Sequence, residues 1–167
     1  QCILMDANPD CVACLSASAA LWPSTHCRVF HGAATDVPGV LEFTFALSET
    51  SGGHVSKNGE LSGNTIAVPA FSLDELFQEN GVHQIRLVKM DIEGSESSAM
   101  KGLSKMLSEH RVDFVYFEVN PTALSDQRSD PETLFREFTQ HGYRLFWPHD
   151  GTEWITRTYG QEEVDVS

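Results

Sequence analysis

Three carboxylates crowd the short stretch from Val88 to Glu96: Asp91, Glu93 and Glu96. The apolar run Ile85 to Met90 predicts a buried strand, Gly94 a bend, and Ser95 onward a helix. Ligands of open α/β sheets sit beyond the carboxyl ends of their strands. Acids gathered there can hold a proton, steady a cation or accept hydroxyl hydrogens. Glu96 taken alone serves equally well as a first-turn acid that complements the helix dipole, whereas Asp91 still lies in the apolar run. Two further acids end apolar runs. Asp6 closes Ile3 to Met5, where the alternative is a capping acid ahead of Pro9. Glu118 closes Val112 to Phe117, and burial there would raise its pKa until it could take a proton near neutrality. The alternative for Glu118 is a strand-end acid paired with Lys89 or Arg28. Glu93 and Glu118 are the candidate bases, with His31 behind them.

The elements that must position these groups alternate. A strand at Ile3–Met5 precedes a helix opened by Pro9, a residue tolerated in a first helical turn. Arg28–Ala33 is a second strand, and Leu41–Leu47 a third piece that reads as antiparallel. Ser48–Asn64 is rich in Ser, Gly and Asn, and its Asn58-Gly59 pair suits a two-residue hairpin turn. Ile66–Val68 resumes strand character. Ser72-x-x-Glu75 has the form of a capping box, and Asn80-Gly81 stops the short helix that it opens. After the Ile85 strand and the Ser95 helix come the strand at Val112–Val119 and a helix from Asp130-Pro131 that ends at His141-Gly142. A C-terminal hairpin pairs Tyr143–Trp147 with Trp154–Tyr159 through Asp150-Gly151. This alternation predicts an α/β fold with a mostly parallel sheet, helices on both faces and an antiparallel C-terminal hairpin.

The 167 residues fit a single domain, and 41% hydrophobic with 21% charged residues is ordinary for a globular chain. The formal net charge of -13 disfavours a nucleic-acid backbone or an anionic membrane as partner, because both require a positive footprint. A neutral or cationic small-molecule substrate fits better. No apolar run is long enough to span a bilayer. Cys11-x-x-Cys14 invites a zinc reading, with His26, Cys27 and His31 nearby, but no second pair completes it. Reduced, partly buried thiols in a cytoplasmic setting are the expectation, and no metal is called for. A magnesium variant would use Asp91, Glu118 and Asn120 as hard oxygen ligands.

Lys89-x-Asp91-x-Glu93-Gly94-x-Glu96, followed by Lys101-Gly102, resembles the signature segment of the FkbM family of S-adenosylmethionine-dependent methyltransferases. Asp6-Ala7-Asn8-Pro9 resembles that family's acidic strand end, and His31-Gly32-Ala33-Ala34 with Gly39–Phe43 its adenine-side segment and hairpin. Ser72–Leu76 and Phe117-Glu118-Val119 resemble further segments, so that the likeness runs from Leu4 to about Phe146. It implies a Rossmann-like methyltransferase fold with S-adenosyl-L-methionine as cofactor, held by Asp6, Asn8, Ala33 and Asp91. It implies catalysis by Asp91, Glu93 and Glu118, with the hydroxyl of a small molecule or sugar as methyl acceptor. Such enzymes carry a central first strand and a glycine-rich loop ahead of the acidic strand, which nothing before Asp6 supplies. A single, N-terminally incomplete methyltransferase domain over 1–167 is therefore expected. The alternative function is a catalytically inactive, methyltransferase-like interaction module.

Overall fold

The computed structural model describes residues 1–45, 53–56, 64–149 and 153–156. The apolar start of the chain forms β1 (Cys2–Asp6), which runs parallel to β2 (Cys27–His31), with Cys2 opposite Cys27 and Asp6 opposite His31. Between them lies α1 (Pro9–Ala20), whose N-cap Asn8 accepts a hydrogen bond from the Asp10 N–H at 2.9 Å. None of its residues is buried; the helix is mostly Ala, Ser and Cys, side chains too short to reach deeply into a core.

Next come β3 (Ala33–Thr35), β4 (Gly39–Phe45), β5 (His54–Val55) and β6 (Asn64–Ser72). They form one mixed sheet in the order β3-β6-β4-β5, in which β6 is parallel to β3 and β4 is antiparallel to both β6 and β5. The antiparallel piece expected after Leu41 is β4. The Asn58-Gly59 turn lies outside the described residues.

The short helix α2 (Leu73–Glu79) starts at Ser72, but the expected capping box does not close. The Ser72 hydroxyl donates instead to the Gly102 carbonyl at 3.1 Å. Asp74 also looks away from its own helix, accepting the Lys105 and Met106 N–H groups at 2.8 and 3.0 Å. Those are first-turn donors of a later helix, orphans that need an acceptor. The cap works between elements rather than within one.

Strand β7 (Ile85–Met90) leads through α3 (Glu96–Lys101) and α4 (Ser104–Ser108) to β8 (Val112–Phe117), again parallel. The helix expected from Ser95 is thus two pieces broken at Gly102–Leu103. Gly102 is pressed against β3 so closely that a Cβ there would lie 2.1 Å from the Thr35 carbonyl oxygen. Two helices, α5 (Pro121–Asp126) and α6 (Pro131–Thr139), follow, the second capped by Asp130 accepting from the Thr133 N–H at 2.8 Å. The C-terminal hairpin pairs β9 (Phe146–His149) with β10 (Glu153–Thr156), and residues 150–152 between them are outside the described set.

Two expectations about the sheet need correction. The described strands do not make one mostly parallel sheet: β1–β2 and β7–β8 are separate parallel pairs, and the terminal hairpin is a sheet of its own. The reason is local. Among the described residues no strand pairs with the edges of β1 and β7 that line the cleft, so no ladder joins the two pairs. Helices also do not cover both faces of β7–β8. Val88, Met90, Val115 and Phe117 pack into the main core with Leu103, Leu107, Leu124, Leu134 and Phe138. Residues of the opposite parity, Leu87, Phe114 and Tyr116, face outward and are 58%, 56% and 54% exposed. A second, smaller core joins Ala7, Phe43, Phe45 and Val68.

Leu103, at the break between α3 and α4, is wholly buried in the main core. Leu103→Ala is expected to lose about 2–5 kcal/mol through lost burial and an unfilled cavity. Urea unfolding checks this: a midpoint unchanged from the parent would mean that the core collapses around the gap.

Candidate functional site

A cleft of about 890 Å³ runs the length of β1 and β7, lined by both strands and by no residue of β2 or β8. The two crossovers leave it in opposite directions, β1 to β2 on one side and β7 to β8 on the other. Such a reversal is the topological switch point at which α/β sheets bind ligands, beyond the carboxyl ends of the strands. Asp6, Asn8, Ala33, Asp91 and Glu93 all line the cleft, and Asp6 and Asp91 stand at those carboxyl ends.

Asp6 is pinned by its own turn. Its Oδ1 accepts the Asn8 N–H at 2.8 Å, and Asn8 is buried beneath as the α1 cap. Ala33 and Ala34 give the cleft a wall of small side chains, and the backbone before them is tightly packed. A Cβ on Gly32 would come within 2.5 Å of the Phe71 ring. Asp91 is paired with Lys89 at 3.1 Å, but both side chains are more than half exposed, so the pair contributes little to stability. Arg28 is engaged elsewhere, with the Asn80 side-chain oxygen.

Glu93 occupies a left-handed backbone conformation (φ 51°), followed by Gly94 at φ 93°. For a residue with a side chain that conformation is held only when its surroundings impose it. Here they do. Gly94 lies against the Ala123 carbonyl, where a Cβ would stand 2.2 Å from the oxygen. Glu96, 2% exposed, accepts the Ile92 N–H at 3.1 Å and closes the turn from the other side. Glu96 thus braces the loop, and Glu93 lines the cleft.

Partial burial pushes the Glu93 carboxyl above its usual range. The negative charges of Glu118, Asp91 and Glu96 add to this, and His54 opposes it. A raised carboxyl pKa means that the folded state holds the proton more firmly than the unfolded one. The stability that it contributes is complete below the ordinary glutamate pKa and is lost as the pH rises through the raised value. Glu118 itself follows β8, tied to β7 by its N–H donating to the Met90 carbonyl at 3.3 Å. It does not line the cleft, and it acts on Glu93 as a neighbouring charge.

Other candidates fall away from the cleft. The His31 ring nitrogen Nε2 is 3.1 Å from the Ala7 carbonyl, outside the lining. Asn120 is the α5 cap, accepting the Ala123 N–H at 3.1 Å. Among the described residues no three His, Cys, Asp or Glu side chains converge on a point that could hold a metal ion, so the cysteine–histidine set is not assembled; of the magnesium set, Asp91 lines the cleft while Glu118 and Asn120 do not. No disulfide joins the four cysteines, all of which are among the described residues: Cys2, Cys11 and Cys27 are half-buried and Cys14 is exposed. Phe43, the last residue of the Gly39–Phe43 segment, also lines the cleft, as does His54, which the sequence did not single out. His54 is carried there by β5, held in place as Gln127 donates to the Val55 carbonyl at 2.9 Å. A lone histidine in a Ser- and Gly-rich stretch carries no periodic signal by which it could have been found.

The model of the FkbM methyltransferase domain matches residues 3–145. The chain belongs to the FkbM methyltransferase family. The matched span takes in the cleft lining except Gln1 and Cys2 and stops just before the terminal hairpin, so the family match is to a methyltransferase domain that carries most of this cleft. No curated protein and no solved structure gives a match to the chain. Among the described residues no helix is long and apolar enough to cross a membrane.

Proposed function

We propose that this FkbM domain transfers a methyl group from S-adenosyl-L-methionine to a hydroxyl of a small molecule or sugar. The observation that carries the reading is the meeting of Asp6 and Asp91 across one cleft at a topological switch point. The residues present fit the cofactor's parts. The Asp6 carboxylate, held rigid by the Asn8 N–H, is suited to accept both ribose hydroxyls. Asn8 buttresses that turn, and Ala33 leaves room for a flat adenine ring. Asp91 lies farther along, where a negative charge steadies a sulfonium or an amino group more strongly than it would in water.

The cofactor supplies an electrophilic methyl when bound, and transfer is an in-line displacement that depends on alignment. The protein's own chemical task is to take the acceptor hydroxyl's proton. Glu93 opens onto the cleft with a raised pKa and is the proposed base. Glu118, by its charge, helps to set that pKa. A net negative chain favours a neutral or cationic small-molecule acceptor over nucleic acid or an anionic membrane surface. The cytoplasm, with its reduced thiols, is the proposed setting.

Calorimetry tests the cofactor reading. Asp6→Ala is expected to weaken binding of S-adenosylmethionine or its demethylated product by about 1–3 kcal/mol, the loss of charge-assisted hydrogen bonds. Asp6→Asn, which keeps an acceptor for the Asn8 N–H, separates loss of charge from collapse of the turn. Unchanged affinity in both variants would take Asp6 out of the site. A second reading, a catalytically inactive interaction module, draws on the open edges of β1 and β7, which offer a surface for another strand. Detectable methyl transfer would end that reading.

A further inference from the structure

His54 reaches the cleft on β5, a strand of two residues at the end of the mixed sheet. So short a strand needs support from elsewhere, and it has two sources. Against β4, His54 is registered opposite Thr44 and Val55 opposite Phe43, and the Ser56 N–H donates to the Glu42 carbonyl at 2.8 Å. From 72 positions along the chain, the Gln127 side chain at the end of α5 donates to the Val55 carbonyl at 2.9 Å.

The same helix braces the loop of Glu93. Its Ala123 carbonyl oxygen lies where a Cβ on Gly94 would come within 2.2 Å. Ala123 and Gln127 are one helical turn apart, about 6 Å along the axis. The Glu93 turn and the strand that bears His54 are therefore mounted side by side on one turn of α5, and both residues line the cleft.

The charges around Glu93 are lopsided. Asp91 comes from its own loop, Glu96 from α3, and Glu118 from the end of β8. Helix α5 adds Asp126 at its C-terminal end, and Lys89 of β7 is paired with Asp91 at 3.1 Å. Against the three acids beside Glu93 stands His54, which favours the ionised carboxyl. A carboxyl among like charges tends to keep its proton. A base that already holds a proton cannot take one from a hydroxyl.

We infer that His54 is the cationic partner of Glu93, a positioning residue mounted beside it by the Gln127 latch on α5. The inference rests on the reading of Glu93 as the base. The proton of the acceptor hydroxyl goes to Glu93, and His54 acts on that carboxyl by its charge. Imidazoles change charge between about pH 5 and 8, so the two groups titrate as a pair, each favouring the charged form of the other.

Carbon-13 NMR of the 167-residue chain reads both groups across a pH series. In His54→Gln the Glu93 carboxyl is expected to titrate at higher pH than in the parent, its acid dissociation constant lowered by roughly twofold or more. His54→Lys, which keeps a positive charge, is expected to bring the midpoint back to the parent's or below it. Coupling is reciprocal, so in Glu93→Gln the His54 imidazole is expected to lose its proton at lower pH. Gln127→Ala is expected to move the Glu93 midpoint in the same direction as His54→Gln while the far-UV circular dichroism stays that of the folded chain. A Glu93 midpoint that is the same in the parent, His54→Gln and His54→Lys overturns the inference, as does a His54 midpoint unmoved by Glu93→Gln. A Glu93 midpoint unmoved by Gln127→Ala overturns the latch. None of these readouts uses a methyl donor or acceptor, so a failure of the methyl-transfer reading cannot be mistaken for a failure of the pair.

Discussion

Gly94→Ala is expected to destabilise the domain by about 2–5 kcal/mol and to disorder the loop that displays Glu93. Two independent effects combine. At φ 93° a Cβ is strained wherever it sits, and here it would also meet the Ala123 carbonyl oxygen at 2.2 Å. Relieving that overlap means moving backbone, either the loop or the start of α5, and overpacking of this kind adds about 1–3 kcal/mol to the strain. Moving α5 disturbs the Gln127 hydrogen bond that holds β5 and hence His54, so the cleft would be altered from two sides. Chemical denaturation together with the pH dependence of the Glu93 carboxyl resonance checks this. A variant as stable as the parent, with an unshifted Glu93 titration, would show that the turn can relax without cost.

The second large effect concerns binding. The 167-residue chain alone is expected to bind S-adenosylmethionine no more tightly than a Kd of about 100 μM, near -5.5 kcal/mol, and to show little methyl transfer. Asp6 can grip a ribose, but grip at the methionine end calls for backbone amides at a tight turn, where close approach favours glycine. Calorimetry on the 167-residue chain reads the affinity directly. Micromolar affinity of the 167-residue chain would mean that another part of the described cleft, such as the His54 wall, does the cradling.

Much of this was legible from residue order. The apolar runs at Ile3, Arg28, Ile85 and Val112 are strands because their lengths and flanking turns leave no room for helices. Asp130-Pro131 opens a helix because its carboxylate meets an orphan N–H. The order of short segments from Asp6-Ala7-Asn8-Pro9 to Phe117-Glu118-Val119 pointed to the FkbM family, and the domain match over residues 3–145 agrees. Local chemistry determines such features, so sequence carries them.

Other features depended on contacts between distant segments. That β1 and β7 line one cleft is decided by the packing of the elements around them, and no residue in either strand encodes it. Ser72 and Asp74 cap elements other than their own because the end of α3 and the start of α4 pass within reach. The Ser95 helix breaks at Gly102 because Thr35 approaches from β3, 67 positions earlier. The acids between Asp91 and Glu96 look equivalent in sequence. Tertiary packing alone divides them, burying Glu96 against the Ile92 N–H as a brace and leaving Glu93, its pKa raised by burial and by neighbouring carboxylates, to face the cleft.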